Sequence, residues 1–381
     1  MAENQDNAKQ GEAKATAKMA GFLDGIVSSL GSALSFGGGS AVGLSVGSSS
    51  VKFVELKKSG KSWKLVNFGM AQLPDQVVEH REIVQPGPVI QAIRNIHDQL
   101  APKKKDVCTG LSGNSLIIKK MTIDVPNPKE LQEQVFWEAE QYLPFDVSEV
   151  VMDYQLLSKG KDSSADVLLV AVKRSVLDTY MGCVEDASLQ PTIVDTDFFA
   201  IQNAFEANYP LQPGESAVVV DIGATAMKLV VVKDGVPVYT KDSALGGQNL
   251  TAEIQKHLQL SFADAEALKT GSGGGAVPQE VSDLMNIMAE NLGREIKRTL
   301  DFYLASSSGA PITYVILAGG ASKIPGLSRA VEEAVQLPTQ VMNPFNAVSY
   351  DPAVFTQDYV NSIGPIAAVP IGLALRAGMG A

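Results

Sequence analysis

The chain is poor in the residues that most often do chemistry unaided. Two cysteines, Cys108 and Cys183, cannot build a disulfide framework and point to a reducing compartment. Three histidines (His80, His97, His257) lie far apart, and no Cys/His cluster has metal-ligand spacing. Positive charge is also scarce. The 31 Lys and Arg stand against 42 Asp and Glu, a net −11. General nucleic-acid binding needs a cationic face to displace phosphate counterions, so no nucleic-acid partner is expected. No basic patch followed by a compact apolar core opens the sequence, which speaks against a secretory signal. The most apolar late stretch, 363–377, holds Gly364, Pro365 and Pro370. It is shorter than the roughly 20 residues of a membrane-spanning helix and reads as a buried element of a soluble domain. What remains is a chain of 381 residues, 45% hydrophobic and 19% charged, enough for two or three packed cores.

Residues 1–40 read as an appendage. Positions 1–20 are rich in Ala, Lys, Gln and Asn without apolar period, the pattern of a disordered segment. In 21–36, Phe22, Leu23, Ile26, Val27, Leu30 and Leu34 recur at helical spacing, which suits a membrane surface, a partner or loose packing. The run from Gly37 to Ser40 then reads as a flexible joint.

The most informative feature is an internal echo. Residues 41–56, AVGLSVGSSSVKFVEL, align without a gap on residues 217–232, AVVVDIGATAMKLVVV. Each copy is an apolar run, a turn of small residues and a second strand. The turns hold Gly47, Ser48, Ser49 and Ser50 in one copy and Gly223, Ala224 and Thr225 in the other. Small side chains let backbone N–H groups approach an anion, and two related hairpins predict two similar halves converging on one phosphate chain. A P-loop is excluded, because no GxxxxGK[ST] occurs. The glycine-rich stretch 271–275 lacks a preceding strand and reads as a surface loop.

A third piece follows. Residues 311–318 predict a buried strand, then Gly319, Gly320, Ala321 and Ser322, then a helix with Leu327, Val331, Ala334 and Val335 on one face. By itself this is either strand-to-helix punctuation or a backbone platform for a flat ring; after two phosphate-type hairpins it favours the platform.

Three such motifs in this order resemble the phosphate-1, phosphate-2 and adenosine motifs of the actin-like ATPases. The segment VFWEAEQYLPFD (135–146), continuing to Asp153, narrows the resemblance to the PilM family, FtsA-related actin-like proteins of type IV pilus assembly. Read without that likeness, the segment is an amphipathic helix with Asn127, Pro128 and Glu130 at N-cap, N1 and N3. Leu131, Val135, Ala139 and Leu143 form its apolar stripe, and Pro144 stops it.

The resemblance implies an α/β actin-like fold of two similar halves around a nucleotide cleft. After the tail 1–40, it implies a first subdomain of 41–106, 191–213 and 346–381. A small α/β subdomain, 107–190, is inserted in the first half. The second half comprises 214–245 with 311–345, and a mostly helical subdomain, 246–310. It implies ATP with Mg2+ as ligand, Lys52 reaching the phosphates, Asp221 near the metal through water, Gly247 on the ribose side, and Glu295 and Arg298 near the adenosine from a long helix, 283–304. Lys228, opposite Lys52 in the echo, reads as structural. The position of the usual phosphate-1 Asp is Ser45, which places hydrolysis, though not binding, in question.

As function, the resemblance implies a cytoplasmic scaffold, peripheral at the inner face of the bacterial inner membrane. It would bind the N-terminal cytoplasmic tail of PilN in a groove of 107–190 and meet other inner-membrane pilus proteins and the motor ATPases. Membrane association would be indirect, aided by 21–36. One alternative is an actin-fold enzyme, a small-molecule kinase with Asp195 or Asp197 as base or an active ATPase. Another is an FtsA-like filament former, against which the sequence shows no separate amphipathic tail after Gly378.

Overall fold

The structure, a computed structural model, describes residues 39–124, 130–159, 164–272, 274, 276–306 and 311–379. The stretch 21–36 and the expected helix start at Asn127 and Pro128 lie outside these. Contacts divide the chain into two units. One reaches to Ala200 and takes up the chain again at Leu373; the other is Ile201–Gly372. The resemblance assigns 346–381 to the first subdomain, whereas the contacts leave only the part from Leu373 with the first unit.

In the first unit, strands β1 (Ser40–Val46), β2 (Ser50–Ser59) and β3 (Ser62–Gln72) form an antiparallel meander. Ser40, read from the sequence as the end of a flexible joint, belongs to β1. A small hairpin, β4 (Val78–Glu79) and β5 (Glu82–Ile83), leads into helix α1 (Pro86–Leu100) and strand β6 (Asp106–Leu111), which runs parallel to β1. The chain then departs into β7 (Leu116–Asp124), α2 (Leu131–Ala139), β8 (Val150–Lys159) and β9 (Ser164–Lys173), a separate sheet of order β7-β9-β8. Helix α3 (Arg174–Asp186) returns it to β10 (Gln190–Thr196), parallel to β6. Within this unit the strands follow the order β3-β2-β1-β6-β10, and the two-residue strand Val348–Ser349 extends the same sheet to six. β1 is buried on both faces from Ala41 to Val46, as a central strand covered on two sides must be.

Helix α4 (Asp197–Asn208) leads into the second unit. There β11 (Ser216–Ile222), β12 (Met227–Lys233) and β13 (Val236–Ser243) repeat the antiparallel meander. Helices α5 (Gly247–Leu258), α6 (Phe262–Thr270) and α7 (Gln279–Ser306) follow. Strand β14 (Ile312–Ala318) runs parallel to β11, and after α8 (Leu327–Val335), β15 (Thr339–Val341) runs parallel to β14. The order β13-β12-β11-β14-β15 therefore reproduces the first sheet: two antiparallel pairings, then two parallel ones. The echo read from two hairpins extends to two five-stranded patterns.

Two expectations change. Helix α2 begins after Glu130, which is its N-cap rather than N3, and ends at Ala139, five residues before Pro144. Tight turns end it: Tyr142 and Leu143 both donate their N–H to the Ala139 carbonyl. Leu143 still packs on the core of β7 and β9, but from outside the helix. Helix α7 is longer than predicted, and Ile287, which recurs at helical spacing with the apolar Leu284, Met288, Leu292, Ile296 and Leu300, is 54% exposed.

The last helix, α9 (Gln357–Met379), is longer than the apolar stretch it contains and continues through Pro365 and Pro370. Among the described residues it is the one helix long and apolar enough to cross a membrane, and 72% of its apolar window is buried within the protein. The two prolines lack the N–H groups that would pair with the Asn361 and Ile366 carbonyls; the Pro365 carbonyl accepts the N–H of Gly319 at 2.9 Å.

Candidate functional site

The two echoed hairpins close in the same way. Gly47 N–H donates to the Ser50 carbonyl at 3.0 Å, and Gly223 N–H donates to the Ala226 carbonyl at 2.8 Å. Across the strands, Ser45 stands opposite Lys52 and Asp221 opposite Lys228. In the first copy Ser45 is buried and Lys52 half-buried, its Nζ 3.8 Å from where a Cβ on Gly47 would lie. In the second copy the pair is ionic: Lys228 Nζ lies 2.9 Å from Asp221 Oδ2, both side chains largely buried. Lys228, which the sequence suggested is structural, thus has as its partner the acid assigned to the metal.

Within the second unit several of the sequence-derived residues meet. The N-terminus of α5 lies on the second turn: Gly247 N–H donates to Gly223 O at 2.9 Å and Gln248 N–H to Ala224 O at 2.7 Å. Gly246 has to be glycine, since a Cβ there would sit 2.5 Å from Ala224 O. Gly319, with φ +82°, ends β14 against the same turn; its Cβ would lie 2.4 Å from Ile222 O and 2.5 Å from Asp221 Oδ1. A Cβ on Gly247 would come within 3.3 Å of Ala321 Cβ. Ser322, buried, donates its hydroxyl to Gly319 O at 2.7 Å and fixes the Gly319–Ser322 turn. Asp221, Gly223, Ala224, Gly247, Gly319 and Ala321 therefore form one small-residue cradle.

Glu295 and Arg298, predicted near the adenosine, make an ion pair with each other on α7 at 2.7 Å, and Arg298 is 77% exposed. Sequence reasoning missed three residues that do reach the cradle. Lys269 on α6 donates to Gly247 O at 3.2 Å and Thr251 Oγ1 at 2.8 Å, and lies 2.6 Å from Glu266. Thr251 in turn donates to Glu266 at 2.7 Å. No local motif marks them; the i, i+3 spacing of Glu266 and Lys269 is an ordinary surface pattern, and only the packing of α6 beside α5 turns it inward.

Asp195 and Asp197 are 1% and 4% exposed, at the end of β10 and the start of α4. Burial pushes the Asp195 carboxyl up to about 7, opposed by Arg376 and the Thr196 N–H and reinforced by Asp197. Thr196 Oγ1 accepts the N–H of Phe199 and caps α4. These acids end a strand and open a helix, away from bulk water.

The cradle's residues are compatible with a nucleotide in that they are small and stand beside an ammonium group, Lys269, which is paired with Glu266. The cradle fits a protein-held metal less well. Asp221 is already paired with Lys228, and no group of three His, Cys, Asp or Glu among the described residues could hold an ion.

Comparison with known proteins defines the fold and the family. The chain has the actin-like ATPase fold. MreB5 of Spiroplasma citri, solved bound to AMPPNP, matches with a TM-score of 0.50 at 11% identity, over 87% of this chain and 95% of that one. The cell division protein FtsA of Bacillus subtilis is 22% identical over 362 residues, 83% of this chain and 81% of FtsA. A PilM–PilN type IV pilus biogenesis complex matches with a TM-score of 0.79 at 28% identity, over 88% of this chain and 98% of that one. The family profile of the type IV pilus assembly protein PilM matches residues 43–378, and the chain belongs to that family.

Proposed function

We propose that this chain is an adenine-nucleotide-binding scaffold of the type IV pilus inner-membrane assembly complex. It is cytoplasmic and held at the inner face of the inner membrane through the N-terminal tail of PilN. The observation that carries the nucleotide part is the cradle, where the second turn, the start of α5 and the Gly319–Ser322 turn pack together beside Lys269. Gly223, Ala224, Thr225 and, from the first turn, Gly47–Ser50 and Lys52 would face phosphates. Gly247, Lys269 and Glu266 would face the ribose, and Gly319–Ser322 the base. Mg2+ would arrive on the phosphates and supply charge neutralisation; Asp221 would reach its water shell while shared with Lys228.

The partner part is supported by the PilM–PilN neighbour and by the subdomain 107–190. Helix α2 covers one face of its sheet through Val135 and Ala139. Strands β7 and β8 are its two edges among the described residues, a geometry that accepts an extended peptide. Links to other inner-membrane proteins and to the motor ATPases, and the four-subdomain division, belong to the same proposal. Nothing specific favours a kinase, since its candidate bases Asp195 and Asp197 are buried.

Calorimetric titration of the full chain tests both parts. ATP with Mg2+ should bind, and Lys269→Met should weaken it about tenfold, the scale of one charge-assisted hydrogen bond. A PilN-tail peptide should bind the full chain and fail to bind a folded variant whose 116–173 segment, the separate β7-β9-β8 sheet with α2, is replaced by a short Gly-Ser linker. No ATP binding, or equal peptide affinity, overturns the corresponding part.

A further inference from the structure

Helix α2 has a second face, turned away from its sheet. Val135 and Ala139, both fully buried, and half-buried Phe136 hold the helix to β7 and β9. The opposite face carries Trp137, which is 60% exposed although tryptophan is among the most costly side chains to leave in water. Glu133 lies one turn before it and Glu140 about one turn after it, both exposed. Helical spacing places all three within one narrow stripe, since residues three and four apart are neighbours on a helix surface. Glu140 keeps helical backbone angles, so the stripe runs to the end of the helix.

Just beyond, Tyr142 is 46% exposed and already carries a cation: Lys119 Nζ lies 5.0 Å from its ring centroid. Phe145 carries Lys173 in the same way at 4.3 Å. The segment thus has two aromatic rings covered by its own lysines and one, Trp137, flanked by carboxylates. A guanidinium or ammonium group on the Trp137 face would gain the cation–π attraction and reach a carboxylate on either side. The same carboxylates, in a chain of net charge −11, oppose insertion of the tryptophan into an anionic lipid surface.

We propose that the Glu133–Trp137–Glu140 stripe of α2 is a docking surface for a Lys- or Arg-rich segment of a partner protein.

The full chain has two tryptophans, Trp63 and Trp137, so fluorescence can follow the second with Trp137→Ala as the blank. The probe is a synthetic (Arg-Gly)4 peptide titrated at low salt. Saturable binding with a change in Trp137 emission is expected. Trp137→Ala and Glu133→Gln/Glu140→Gln should each weaken it about tenfold, within the range of a cation–π contact plus an ion pair. All these positions are exposed, and circular dichroism confirms that the variants stay folded. Glu280→Gln/Asp283→Gln removes two exposed acids from α7 and should leave affinity unchanged. If that control weakens binding as much as the α2 variants do, or if Trp137→Ala binds the peptide like the parent chain, the proposal fails. It also fails if Trp137 emission responds to phosphatidylglycerol vesicles and not to the peptide.

Discussion

Lys228 and Asp221 face each other across β12 and β11, 2.9 Å apart and largely buried, at the place where the first hairpin sets Lys52 opposite Ser45. The duplication kept the lysine in both copies and the acid in only one. The second turn therefore carries an internally neutral pair, whereas the first offers a cation beside a hydroxyl. The two lysines thus stand at equivalent positions of the echo, one across from an acid and one across from a hydroxyl.

Breaking the ionic pair from either side should be costly. Lys228→Met leaves the Asp221 carboxylate buried without its cation, and a loss of about 3 kcal/mol is expected in urea unfolding, the range for one-sided removal of a buried pair. The double variant Asp221→Asn/Lys228→Met should recover most of that loss.

Gly319 should tolerate no side chain. Its φ of +82° and the 2.4 Å approach to Ile222 O leave no room for a Cβ. Gly319→Ala should lower stability by about 2 kcal/mol and weaken ATP binding as β14 is pushed off the second turn. Gly320→Ala meets only an Ile366 methyl at 3.7 Å and should behave like the parent chain in the same melts.

Ser45 places a buried hydroxyl where a carboxylate would help position a hydrated metal. Steady-state ATP turnover with Mg2+ should therefore be slow, and Ser45→Asp should raise it. Fast turnover by the parent chain would refute the role given to Ser45.

Stability should fall as pH rises from 5 to 8. Burial lifts Asp195 to about 7, and it lifts Glu206 on α4 to about 7 also, against a hydrogen bond from Gln202. Free carboxyls titrate near 4, so between about pH 4 and 7 the folded chain keeps protons that the unfolded chain releases. The stability tied to them is complete below about pH 4 and is lost as pH climbs through 7, the reverse of a salt-bridged carboxylate. Asp195→Asn/Glu206→Gln should flatten the profile and exceed the parent chain at pH 8 by a few kcal/mol in denaturant melts.

Much of the framework was legible because it is local. The paired hairpins, the strand followed by Gly319–Gly320 and the apolar period of α7 are each written within some thirty consecutive residues, and each appears close to where the pattern put it. Helix α2 shows where local pattern stops. Its apolar spacing runs on to Leu143, but the Ala139 carbonyl takes two N–H groups and the helix ends there. Ile287 shows the same limit: a position can satisfy the helical period and still face water, because the period does not say how wide the covering partner is.

The amino-acid order alone determined the duplicated hairpins, the third glycine turn and the placement of serine and aspartate at equivalent points, since these need only neighbours in sequence. Tertiary packing alone decided that Lys228 neutralises Asp221, that Lys269 and Glu266 reach Gly247, and that Asp195 is sealed from water. Each of those outcomes depends on which elements come to lie side by side. A charge acquires its partner and its local dielectric only when that packing exists.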